Sequence, residues 1–121
     1  MRSRILTSLA ILAASGGCQL DREFRIERLA SGEAAVVVVD SSGEPDPDGC
    51  INMLAVTDET ASINNLWSAG NADPHRCVGR LVIGRAQPGY TTDPATRLEP
   101  GHSYSVGGVG PGYSASISFR M

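Results

Sequence analysis

Glu44-Pro45-Asp46-Pro47-Asp48-Gly49 sets three carboxylates at alternate positions ahead of a glycine. Calcium loops begin in this way, and Ile51 stands where such a loop carries its apolar residue. The twelfth position, however, is Ala55 rather than a bidentate glutamate, and the two prolines exclude an entering helix. The stretch is read as a solvated acidic turn, with a small calcium- or metal-binding module on Glu44, Asp46 and Asp48 as the alternative. Gly107, Gly108, Gly110 and Gly112 have the residue type of a phosphate loop. Such a loop must feed a helix N-terminus, whereas these glycines feed an alternating strand, so a flexible hairpin tip is expected. His75 and His102 are the chain's two histidines, and the sequence offers neither a G-x-S-x-G elbow nor a paired-carboxylate signature. Both are read as solvated loop residues, and no catalytic activity is expected.

The 121 residues suffice for one core. All ten basic residues are arginine, against thirteen carboxylates, for a net charge of −3. Without a basic patch there is nothing to neutralise phosphates and release counterions, which excludes nucleic acid as a partner. Aromatic residues make up 5% of the chain, so Val, Ile, Leu and Ala must fill the interior.

The N-terminus has its own order. Arg2 and Arg4 precede an apolar run over residues 5–14, followed by Ser15, Gly16, Gly17 and Cys18. Basic head, short apolar run and small residues are the order of a signal peptide, and the run is shorter than the ~20 residues of a permanent span. With a cysteine at the cleavage point, residues 1–18 resemble the signal and lipobox of bacterial lipoproteins. The resemblance implies a signal peptide over 1–17, a covalent lipid on Cys18, a short tether over 18–21 and a domain over 22–121. An ordinary secretory signal with an incidental cysteine is the other reading. Gln19, rather than Asp, after the cysteine implies the outer membrane, facing the periplasm. Removal of 1–17 takes Arg2 and Arg4, leaving eight arginines against thirteen carboxylates, a net charge of −5.

If Cys18 carries lipid, Cys50 and Cys77 remain as a pair in an oxidising compartment, and a disulfide is expected. It would close a loop of about 28 residues and stabilise the fold by roughly 3 to 4 kcal/mol. A zinc site using His75, Cys77, Cys50 and His102 is the alternative, but the spacing matches no zinc pattern. No cofactor other than the lipid is expected.

These residues need a scaffold. Residues 34–40 (AAVVVVD) form an uninterrupted β-branched run, read as a central strand buried on both faces. Residues 50–57, 63–67 and 77–85 are further apolar runs bounded by Asn, Asp, Gly or Pro. Residues 22–30 alternate as a strand, although Asp21 could cap a short helix. Tyr113, Ala115, Ile117 and Phe119 alternate with serines, the pattern of a half-buried strand. Trp67, beside Leu66, is read as core. Strands starting near Arg22, Ala34, Cys50, Ile63, Cys77, His102 and Tyr113, about seven, predict an all-β antiparallel sandwich.

The sequence Leu98-Glu-Pro100-Gly101-His-Ser-Tyr104-Ser-Val106 resembles the tyrosine corner of fibronectin type III modules. The resemblance implies an immunoglobulin-like sandwich in which Leu98 enters the core, Pro100 and Gly101 turn the chain, and the Tyr104 hydroxyl bonds back to upstream backbone. The expectation is a non-catalytic module, held at a membrane by its lipid, that binds an envelope protein, peptide or glycan.

Overall fold

A computed structural model describes residues 21–121. The signal-like segment 1–17, Cys18 and all of the tether except Asp21 lie outside the described residues. No helix among the described residues is long and apolar enough to cross a membrane.

Eight strands form two antiparallel sheets: β1 (Glu23–Arg28), β2 (Ala34–Val39), β3 (Met53–Asp58), β4 (Ile63–Asn71), β5 (Arg80–Val82), β6 (Tyr90–Thr92), β7 (Ser103–Gly110) and β8 (Tyr113–Arg120). One sheet has the order β1-β2-β5 and the other β6-β4-β3-β7-β8. Seven of these strands overlap or begin near the seven strand positions expected from the sequence. The eighth, Tyr90–Thr92, has three residues, too few for a period-two pattern, and adds an edge to β4. A single 3-10 turn, Pro74–Arg76, is the only helical element among the described residues. Asp73 caps it, accepting from the His75 amide at 3.0 Å.

Every residue of β2 is buried, as its β-branched run requires of a central strand. Ala34, Val36 and Val38 face the opposing sheet, where they meet Leu54, Val56, Trp67 and Val106 in one aliphatic core. The other face of β2 is covered by the long side chains of its neighbours. Val37 lies between Arg25 and Arg80, and Ala35 beside Glu27, while Arg80 Nε donates to Glu27 Oε1 at 2.9 Å across the strand. Methylene stems thus bury the valines while the charged heads stay wet.

On the larger sheet, β8 turns Tyr113, Ala115, Ile117 and Phe119 inward and its serines outward. Trp67 is fully buried, and its indole N–H meets no acceptor among the described residues. β1 lies against β8 across the gap between the sheets, where the Arg28 guanidinium donates to the Arg120 carbonyl.

Gly107, Gly108 and Gly110 correct one expectation: they belong to β7, and the hairpin tip is only Pro111 and Gly112. For Gly108 and Gly110 the physical reason is space. A Cβ on Gly108 would meet Phe24 and Leu54, and one on Gly110 would overlap the Cys50 carbonyl and the Tyr113 ring.

The strands define two ends. The start of β1, the turn 44–49, the Cys50–Cys77 pair and the β7–β8 turn share the N-terminal end. The β1–β2 turn, the β3–β4 turn, residues 93–102 and the C-terminus share the far end.

Candidate functional site

At the N-terminal end Cys50 and Cys77 form a disulfide, with their Cα atoms 5.2 Å apart. It joins the approach to β3 to the approach to β5, two loops also linked by the Ile51 amide donating to the Val78 carbonyl. Two tyrosines close over this junction. The Tyr90 hydroxyl donates to the Ile51 carbonyl at 2.7 Å and accepts from the Val78 amide at 3.0 Å. The Tyr113 hydroxyl donates to the Cys50 carbonyl at 2.8 Å. Burial, reinforced by Tyr90 and Asp46, pushes the Tyr113 hydroxyl up to about 12. His75 stands exposed beside the bridge, next to a hollow bounded by Arg76 and Gln87.

The acidic turn is engaged in its own hydrogen bonds. Asp46 accepts from Arg22 Nε at 2.7 Å with one oxygen and from the Asp48 amide at 3.0 Å with the other. The Arg22 contact holds its carboxyl below the ordinary value. Pro45 pairs with Val39, and the Glu44 carbonyl accepts from the Asp40 amide. Glu44, Asp46 and Asp48 do not converge, and no three His, Cys, Asp or Glu side chains among the described residues are grouped to hold a metal.

At the far end the Tyr104 ring is buried and its hydroxyl accepts from the Glu99 amide at 2.6 Å, five residues upstream. Leu98 packs against the core, and Gly101 turns the chain at φ +84°. Tyr104 lies between two rings, Phe119 at 5.6 Å and His102 at 6.2 Å. His102 is not a freely solvated loop residue: its Nδ1 is 2.8 Å from Asp58 Oδ2, on a side chain that is almost wholly buried. A carboxylate only accepts, so Nδ1 carries the proton. Among the described residues no hydroxyl or thiol bonds to Nε2, and the pair braces the β3–β4 corner against the start of β7.

At the same end lies a cleft of about 610 Å³, bounded by residues 31–33, Ile83 and residues 96–100. Its size falls within the range of small-ligand sites, about 300 to 1,000 Å³. Ile83, buried, and Leu98, partly buried, supply an apolar floor. On one wall Glu33 accepts from Ser31 and is paired with Arg85, contacts that hold its carboxyl below the ordinary value, with Arg97 adding to the effect. The opposite wall runs close to β5. Thr96 N–H donates to the Gly84 carbonyl at 3.1 Å, and any side chain on Gly84 would strike the Thr96 carbonyl.

No protein-family model, curated protein or solved structure matches the chain.

Sequence reasoning reached the disulfide cysteines and the Leu98–Tyr104 corner, but it missed the cleft and the Asp58–His102 pair. Asp58 did leave a signal. It continues the alternation of Leu54 and Val56, which places a carboxylate on the buried face of β3. The cleft left none, since its walls come from three separate segments.

Proposed function

We propose that this chain is a lipid-anchored cell-envelope protein whose β-sandwich acts as a non-catalytic binding module, held by Cys18 at the outer membrane and facing the periplasm. The sandwich is of the immunoglobulin-like kind. Support comes from the adjacency of β3, β7 and β8 in one sheet and of β1, β2 and β5 in the other, together with the Tyr104 hydroxyl bonded to upstream backbone.

The observation that carries the proposal is where the chain enters. Arg22, immediately before β1, is tied to Asp46 at the N-terminal end of the sandwich, while the cleft opens at the far end. From Cys18 to Glu23 the chain can stretch at most about 18 Å. A lipid there would hold the acidic turn and the disulfide near the bilayer and leave the cleft facing outward. Two or more acyl chains give stable anchoring where one gives only marginal binding.

Intact-mass measurement of the protein extracted from membranes tests this. The expected species begins at Cys18 and carries acyl chains. An unmodified Cys18, or cleavage elsewhere, would remove the anchor.

A further inference from the structure

We propose that the outer face of the larger sheet is a self-association surface, on which a second copy of this chain packs face to face about a two-fold axis running along β3.

Charge makes the first argument. The five strands of the larger sheet hold two charged residues, Asp58, which is buried, and Arg120, the last residue of β8, whereas the three strands of the other sheet hold five. Met53 and Val109, two of the three exposed large apolar side chains among the described residues, stand side by side on this face. Copies of a chain with net charge −3 repel one another where carboxylates meet. The centre of this face has none, and the two carboxylates that border it are engaged: Ser68 Oγ donates to Asp93 and Ser105 Oγ to Glu59.

Shape selects the occupant. β3 is the middle strand of its sheet, and its buried Leu54 and Val56 leave Met53 and Ala55 pointing outward. The register flanks Met53 with Gly70 of β4 on one side and Val109 of β7 on the other, and flanks Ala55 with Ser68 and Gly107. A two-fold axis along β3 therefore sets Met53 against its own counterpart and Val109 of one copy against Gly70 of the other. Gly70 has room for it, since a Cβ there would meet nothing within 4 Å. Asp93, in the row of Ser68, comes opposite the Ser116 hydroxyl of the copy, which can donate to it. An axis across the strands through Ala55 would instead lay Met53 on Thr57 and Val109 on Ser105, apolar against polar.

Area and direction agree with this pairing. Four strands about 4.8 Å apart, each about eight residues long at 3.3 Å per residue, present roughly 500 Å² of flat sheet, so the pair buries about 1,000 Å², where specific contacts begin. An axis along β3 keeps the strands of both copies running the same way, as aligned sheet packing requires. Both N-terminal ends then lie on one side, which suits two chains held in one bilayer, although the pairing does not depend on an anchor.

Sedimentation equilibrium of the full-length protein in density-matched detergent micelles tests this. Monomer and dimer are expected to exchange with protein concentration, and Val109→Asp or Gly70→Asp should each weaken the dimer about tenfold or more, because the symmetric contact is struck twice. At dilutions where the native chain is monomeric both variants should melt as it does, since Val109 is exposed and a side chain at position 70 has space. Crosslinking reads the position of the axis. In a Cys18→Ser background, with Cys50 and Cys77 bridged, mild oxidation should link two copies through Ala55→Cys but not through Ser116→Cys, which lies two strands from the axis. A monomer at every concentration, a dimer indifferent to both aspartate substitutions, or equal crosslinking at 55 and 116 would overturn the proposal. Should either aspartate variant melt lower, the crosslinking pair decides alone.

Discussion

His102 Nδ1 lies 2.8 Å from Asp58 Oδ2 although 44 residues separate them in sequence, and Asp58 is the one charged residue among the described residues that is buried. Its other oxygen accepts from the Ala61 amide at 2.9 Å, so a single carboxylate ties the turn after β3 to the residue before β7. Burial by itself would raise this carboxyl. The Ala61 amide, the His102 ring and the Thr60 amide outweigh it and hold the group below the ordinary aspartate value.

Because the folded carboxyl ionises below its unfolded value, Asp58 adds stability above the ordinary carboxylate range and loses it as pH falls through the lowered folded value. Melting temperature followed from pH 6 downward should therefore show an acid decline that is shallower in Asp58→Asn. Asp58→Ala should melt several degrees lower at neutral pH, since the Ala61 amide and the His102 ring both lose their acceptor. An Asn variant with the native acid profile would show that Asp58 does not drive the decline.

Tyr104→Phe keeps the ring stacked on Phe119 and removes only the acceptor of the Glu99 amide. A loss of about 1 kcal/mol is expected by urea denaturation. Hydrogen exchange supplies the local readout: the Glu99 amide should lose protection, while β2 amides keep theirs. Undiminished Glu99 protection would mean that another group holds this amide.

Reducing the Cys50–Cys77 bridge should cost roughly 3 kcal/mol, read as a fall in the guanidinium midpoint under a reductant that leaves the fold otherwise intact. Cys50→Ala with Cys77→Ala should reproduce that fall and become insensitive to reductant. A double variant as stable as the oxidised protein would show that Tyr90, Tyr113 and the Ile51–Val78 hydrogen bond already hold the two loops together.

What could be read from sequence follows how local its cause is. Residues 34–39 and 113–120 declared themselves, one by an unbroken β-branched run and the other by strict alternation, because burial on two faces or on one writes directly into residue order. The Leu98–Tyr104 corner was legible because turn, core anchor and hydroxyl lie within seven residues. Tyr90–Thr92 was not, since a three-residue strand is defined by the edge of β4 rather than by its own pattern. The glycines of β7 misled for a similar reason. The small size of Gly108 and Gly110 answers to Phe24, Leu54, the Cys50 carbonyl and the Tyr113 ring, which only the fold brings against them. Neither the cleft nor the Asp58–His102 contact could be assembled without the fold that brings their segments together.

The placement of β1 has a mechanical consequence. The chain enters at the N-terminal end and β1 runs from there along the full height of its sheet, paired with β2 over six successive residues. A pull on the N-terminus toward the side from which it enters acts along the axis of that strand. The rungs of the ladder then bear the load together, in shear, instead of parting one at a time as they would if the strand were peeled from its edge. Arg22 clasped by Asp46 takes the first share, and the Arg28 contact to Arg120 carries part of the strain into β8.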